Sequence, residues 1–210
     1  MLLWINGPFG GGKTQTAHEI HRRLAGSVIC DPEHLGFGLH RMLPPAQRGD
    51  FQDLVSWRQG VVEVLDLALT GHDGVVIAPM TVTDPRCFAE TVGRLRELGH
   101  DVRHFTLLAE RGTVLKRLRE RGLGHLLPNA AGKNSGSRRE SWAVQRLDHC
   151  LERLREPEFA EHLWTDRTSV PKTADRIAVL AGLTLRPHTG GPLRTRLRQA
   201  GVGMRHIRFD

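Results

Sequence analysis

Gly7-Pro8-Phe9-Gly10-Gly11-Gly12-Lys13-Thr14 fits the pattern G-x-x-x-x-G-K-[ST], the phosphate-binding loop. Each part has a chemical reason. Glycines let backbone N–H groups close around phosphate oxygens with no Cβ in the way. A helix that starts at the loop offers unpaired N–H groups and its positive dipole end to the anion. Lys13 would reach the β- and γ-phosphates, and the Thr14 hydroxyl would ligate Mg²⁺. Four fixed positions would arise by chance in roughly one chain in a hundred of this length, so the flanking sequence decides. Leu2-Leu3-Trp4-Ile5 reads as a short apolar strand, and Ala17, Ile20 and Leu24 give helical spacing after the loop. The alternative is a glycine-rich turn with an exposed lysine. Against it, the chain has 26 Arg and 4 Lys, and Lys13 is the only Lys in the first 115 residues. A chain that otherwise uses arginine has placed a compact point charge inside this loop.

Working outward, apolar strands alternate with helices. Strands are predicted at 27–30, 75–78, 102–108 and 163–165. Helices are predicted from Thr14 to Leu24, from an N-cap at Asp50 to Gly71, over 85–98, 110–121 and 140–155, and from Pro171 to Leu180. Residues 32–49, with three glycines and two adjacent prolines, read as loop, and so do 122–139. This alternation predicts an α/β fold, a parallel sheet with helices on both faces. The domain is expected over 1–185, with a lid region at 111–139 and a basic tail at 186–210. Cys30, Cys87 and Cys150 form no CxxC pair, which argues against a disulfide framework or zinc site and for a reducing cytosol. The longest apolar run, Val75 to Met80, is too short to span a bilayer. The first residues read as a strand rather than a signal peptide.

The formal net charge is +7. Residues 111–139 carry eight Lys/Arg against one Glu, and 186–210 carry six Arg against one Asp. The remainder therefore sums to −5 (7 − 7 − 5), and two basic segments sit on a mildly acidic body. That pattern argues for two local roles and against a nucleic-acid surface. Arg117 and Arg121 share a helix face beside the glycine-rich stretch, as a phosphate-neutralising pair on a closing lid would; a solvated basic face is the other reading. Asp31 ends the second strand on the rim that carries the loop. It suits a base for an attacking hydroxyl or a ligand of metal-bound water, or else an Asx turn before Pro32. Trp57 would stack on a base or sugar, or join the core with Leu54 and Val61. The tail spacing of Leu193, Leu197, Ala200, Met204 and Ile207 among arginines is that of a membrane-surface helix, with a docked or disordered tail as the alternative.

With these motifs the chain resembles the small P-loop kinases, which include nucleoside-monophosphate kinases, shikimate kinases and the chloramphenicol phosphotransferase type. Within them it is most similar to the tunicamycin resistance ATP-binding proteins. The shared fragments are Gly7-Pro8-Phe9-Gly10, Asp31-Pro32-Glu33, Asp50-Phe51-Gln52-Asp53 with Trp57-Arg58, Pro79-Met80-Thr81 and Arg205-His206-Ile207-Arg208. The resemblance implies a three-layer P-loop NTPase fold with a lid, and a five-stranded parallel sheet in the order 2-3-1-4-5. It implies a cytoplasmic protein that uses ATP and Mg²⁺ and protects against tunicamycin, a nucleoside antibiotic carrying a fatty acyl chain. Gly7, Phe9, Gly10, Gly11, Gly12, Lys13 and Thr14 would hold the nucleotide, with Arg117 over the adenine and Arg121 on the phosphates. Lys13, Asp31, Arg117 and Arg121 would be catalytic. Glu33, Asp53, Trp57 and Arg58 would face the acceptor. One departure stands out. Many P-loop enzymes end the third strand with an Asp that holds Mg²⁺ through water, and here the strand runs into Pro79-Met80. Sequestration of the antibiotic without catalysis, at a membrane surface through the tail, and a housekeeping nucleotide kinase are the other readings.

Overall fold

A computed structural model describes residues 1–120 and 147–189. Five parallel strands form one sheet: β1 (Leu2–Asn6), β2 (Val28–Ile29), β3 (Val76–Pro79), β4 (Val102–Leu108) and β5 (His162–Trp164). Their spatial order is β2-β3-β1-β4-β5, as the resemblance implies. Central β1 is flanked on both sides, with Trp4 opposite Ala78 on β3 and His104 on β4. Every β1 residue is buried because both sheet faces are covered.

Successive side chains point to opposite faces, so each strand feeds two cores. Leu3, Ile5, Ile77, Phe105 and Leu107 pack with Ala17 and Ile20 of α1 (Lys13–Arg23) and with Ala174 and Ile177 of the last helix. Leu2, Trp4, Val76 and Ala78 face the other layer, α3 (Val55–Gly71) and α4. Helix α4 begins as Pro85–Phe88, passes through a π-helical turn at Ala89–Gly93 and ends as Arg94–Glu97. Trp4 and Trp57 are fully buried in this second core. At about 200 Å² each, they contribute on the order of 5 kcal/mol apiece in transfer terms. Helix α5 (Arg111–Glu120) and the helical residues 147–153 form a small third cluster through Val114, Leu118 and Leu151. The last helix among the described residues, α7 after α6 at 147–153, spans Val170–Leu180 with Pro171 in its first turn, where a missing N–H costs nothing.

Residues 33–42, expected as loop, form helix α2 (Glu33–Met42) instead. Gly36 and Gly38 lower its propensity, but tertiary packing outweighs them. A Cβ at Gly36 would lie 2.5 Å from the Phe51 ring, so the glycine is where α2 accepts that ring. Phe51 also meets Phe37, His40 and Trp57 at centroid distances of 6.2, 5.4 and 5.5 Å. Asp50 does cap, but it caps a 3₁₀ turn (Phe51–Asp53) by accepting from Gln52 N–H at 3.1 Å; α3 starts only at Val55.

Beyond α7 the chain returns along α1. Leu183 and Leu185 pack on the first core, and Arg186 N–H donates to Arg23 C=O at 2.9 Å. Arg23, 4% exposed, returns a hydrogen bond to Arg186 C=O at 2.7 Å and pairs with Asp175. The described chain thus finishes at the C-terminal end of α1, away from the loop. Among the described residues no helix is long and apolar enough to cross a membrane.

His104 on β4 offers a stability test. It is 5% exposed, bonded through Nδ1 to Ala160 C=O at 2.9 Å and stacked edge-on against Phe88. Burial lowers its pKa to about 4. The unfolded chain titrates near 6.5, so between these values the unfolded state binds the extra proton. Stability from this group is complete above about pH 6.5 and is lost as pH falls through about 4. Urea unfolding at pH 7.5 and pH 4 should show a drop about 3 kcal/mol larger than in His104→Gln. Equal drops would refute the assignment.

Candidate functional site

The loop runs from the C-terminal end of β1 into the first turn of α1, as the motif demands. Gly7, Gly10 and Gly12 adopt φ of 147°, 75° and 97°, a region that side chains rarely enter. Close approach reinforces the requirement at two of them. A Cβ at Gly7 would lie 2.8 Å from the Leu107 carbonyl oxygen of β4. At Gly10 it would meet Leu118 of α5 at 3.0 Å, so α5 packs directly on the loop. Gly11 N–H donates to Pro8 C=O at 2.9 Å, closing the turn. No side chain caps α1, and Gly12 stands at the cap position. A helix N-terminus that begins on a glycine is a place where an anion is favoured.

Lys13 is only 7% exposed. Its Nζ donates to Pro8 C=O at 3.2 Å and lies 5.4 Å from the centroid of the Phe9 ring. The ammonium is thus folded back over the loop, while Phe9 stands out at 65% exposure. Thr14 follows, half-buried in the first turn.

Asp31 sits on the same rim, just past β2, and is half-buried. Its Oδ1 accepts from Glu33 N–H at 3.0 Å. The Asx-turn reading is therefore fulfilled: the carboxylate starts α2. Glu33 occupies the first turn of α2, where a carboxylate suits the helix dipole.

The side chains expected at the acceptor divide. Asp53 is exposed at the end of its 3₁₀ turn. Trp57, by contrast, is a core residue: it is fully buried, and its indole N–H donates to Pro32 C=O at 3.1 Å. It shapes the rim by holding the chain beside Asp31, not by offering a ring to a ligand. Arg58, 7% exposed, donates Nε–H to Glu90 at 2.5 Å and Nη1–H to Gln52 C=O at 2.6 Å. It clamps the 3₁₀ turn to α4. Glu90 also accepts from Arg86 at 2.6 Å, and the two guanidinium groups, Arg86 first, hold its carboxyl below the usual range. The π-helical turn sets Glu90 in this place, and Thr91 Oγ1 donates back to Cys87 C=O at 2.7 Å, a carbonyl of the turn before it. Burial pushes the Cys87 thiol up to about 12, so it is no nucleophile.

Arg117 lies on α5, one residue before the Leu118 that meets Gly10. Its guanidinium donates to Thr165 Oγ1 at 3.0 Å and to Thr165 C=O at 2.6 Å, which fixes it at the C-terminal end of β5. Burial lowers its pKa, and Asp166 and Glu120 act against that. Burial pushes the Asp166 carboxyl up, but the Thr113 hydroxyl, the Glu110 N–H and Arg117 outweigh it and hold it low. Arg121, most of the expected lid and residues 190–210 of the tail lie outside the described residues.

Sequence reading missed a polar clasp behind the loop. Asn6 and Thr81 are 0% and 7% exposed, and both bond to Gly7. Thr81 lies 74 residues from Gly7, and Asn6 also bonds Val82 across 76 residues, so no local pattern signals the clasp. At the end of β3, where the third-strand acid is missing, Met80 is buried and the Thr81 hydroxyl is used on Gly7. Asp84, the next acid along, caps α4 by accepting from Cys87 N–H at 2.8 Å.

A sequence profile described as an AAA domain matches residues 2–125. The tunicamycin resistance protein of Deinococcus radiodurans is 32% identical; the match covers 89% of this chain and 99% of that one, with a TM-score of 0.71. Shikimate kinase from Bacteroides thetaiotaomicron is 17% identical over 87% of this chain and 99% of its own, at a TM-score of 0.57. The APS kinase of Mycobacterium tuberculosis, in complex with AMPPNP and APS, is 14% identical over 86% and 96%, at 0.52. The two kinases share the fold. No curated protein matches the chain.

Proposed function

From the premise that this chain belongs to the AAA domain family, alongside the tunicamycin resistance proteins, we propose that it is an ATP-dependent phosphotransferase whose acceptor is a hydroxyl of tunicamycin. The single observation that carries the reading is the loop itself: three glycines in conformations that only glycine adopts readily, an α1 that starts on Gly12, and a buried lysine folded over them.

Transfer forms a bond between the acceptor oxygen and the γ-phosphorus and breaks the bond to the bridging oxygen, releasing ADP. The chain has little covalent work to do; it positions groups and neutralises charge. The first-turn amides of α1 and Lys13 would hold the phosphates, and Lys13 would shift from Pro8 C=O to phosphoryl oxygens. Asp31 would take the hydroxyl proton. Arg117, fixed on Thr165, would border the base. Asp53 and the clamp of Arg58 on Glu90 would shape the acceptor side. Among the described residues no group of three or more His, Cys, Asp or Glu side chains gathers at a cation position. Thr14 and Asp31 fit a Mg²⁺ held mainly by phosphate oxygens, where it would offset negative charge.

A second reading, ATP-gated sequestration without transfer, is favoured by the end of β3, where Pro79, Met80 and Thr81 supply no carboxylate. Contact of the 190–210 segment with a membrane surface belongs with it as a proposal. One experiment separates the two. The purified protein is mixed with ATP, Mg²⁺ and tunicamycin and the antibiotic is weighed by mass spectrometry. We expect antibiotic carrying one added phosphoryl group. Unmodified antibiotic that co-elutes with ATP-loaded protein would replace transfer by sequestration.

A further inference from the structure

Gly7 is the hinge between the sheet and the loop, and both of its backbone polar groups are taken by side chains. Its N–H donates to Asn6 Oδ1 at 2.8 Å, and its C=O accepts from Thr81 Oγ1 at 2.8 Å. Asn6 Oδ1 also accepts from Val82 N–H at 2.9 Å, and Asn6 Nδ2 donates to Val82 C=O at 2.9 Å. The β1–β3 ladder ends at Ile5 opposite Pro79, with Met80 N–H on Ile5 C=O at 3.0 Å. Beyond that point the Asn6 amide imitates a strand and carries the pairing on to Val82.

This clasp acts on the reactive side chain through direct contact. A Cβ at Gly7 would lie 3.3 Å from Lys13 Cγ, so the lysine stem packs against the Gly7 backbone. On the other side Leu107 C=O closes the space. With β4 behind it and two side chains on its peptide groups, Gly7 has one tilt, and that tilt sets where the Lys13 stem leaves the loop. We infer that Thr81, with Asn6, is a positioning residue for Lys13 and the phosphate-binding amides, tying the loop to the chain that follows β3. Because both residues are buried and neutral, they act on a bound phosphate only through Gly7. The inference rests on the proposed nucleotide site and names what holds that site ready in advance.

Thr81→Val replaces the hydroxyl by a methyl of similar size; Thr81→Ser keeps the hydroxyl. Calorimetry with ATP and with AMP, both in Mg²⁺, tests the role, since AMP lacks the β- and γ-phosphates that Lys13 reaches. Thr81→Val should bind ATP about tenfold more weakly and AMP as the unmodified protein does. Thr81→Ser should bind ATP within about twofold of it. Unchanged ATP affinity in Thr81→Val would overturn the inference, and so would equal losses for ATP and AMP, which indicate general loosening. If the unmodified protein binds no ATP, the nucleotide site itself falls, a different result from either of these.

Discussion

Lys13→Met is expected to lower phosphoryl transfer about a thousandfold while the protein stays folded. The ammonium is the positive charge that the loop encloses, at 7% exposure and 3.2 Å from Pro8 C=O. A thousandfold corresponds to about 4 kcal/mol of transition-state stabilisation. The hydrogen bond to Pro8 contributes about 1 kcal/mol net, and methionine keeps an apolar stem of similar length against Gly7. Chemistry should therefore suffer far more than stability. Lys13→Arg should not rescue, because a planar guanidinium does not reproduce the compact point charge that sits 3.2 Å from Pro8 C=O inside the loop. Steady-state ADP release together with the thermal midpoint checks both halves. A loss below tenfold would remove Lys13 from the transfer step.

Asp31→Asn is the second large effect, at roughly 10²–10³-fold in kcat, with ATP affinity nearly unchanged. Asparagine retains an acceptor oxygen for Glu33 N–H, so the turn that starts α2 survives. What goes is the carboxylate's ability to take a proton. The readout is kcat and KM for ATP on the same preparation, with circular dichroism to confirm that the helices persist. Full activity in Asp31→Asn would leave the residue as a helix starter alone. A joint loss of ATP binding and kcat would instead assign it to the metal.

The loop and the sheet were legible because their determinants are local: a spacing of glycines before Lys13, and four-residue apolar runs such as that of β3. Helix α2 was not. Gly36 and Gly38 signalled a loop, yet Gly36 is there to admit the Phe51 ring, a contact across 15 residues (51 − 36) that no window of pattern contains. Trp57 lay on a face shared with core residues, and burial won over display. Arg58 was recognisable as a charge near the acceptor side, but its partner Glu90 is 32 residues away and is brought to it by a π-helical turn. Asn6 and Thr81 look like an ordinary strand end and an ordinary loop hydroxyl until the sheet order makes β1 and β3 neighbours.

The return of the chain along α1 has a practical and a geometric consequence. Helix α1 has 11 residues, so its two ends are about 16 Å apart. Its first turn adjoins the proposed phosphate site, and its last turn grips Arg186 through Arg23. A dye or an affinity handle fixed at Arg186 would stand at the opposite end of α1 from the proposed site. Tethered there to a bead or a bilayer, the domain would keep its nucleotide mouth turned toward open solution.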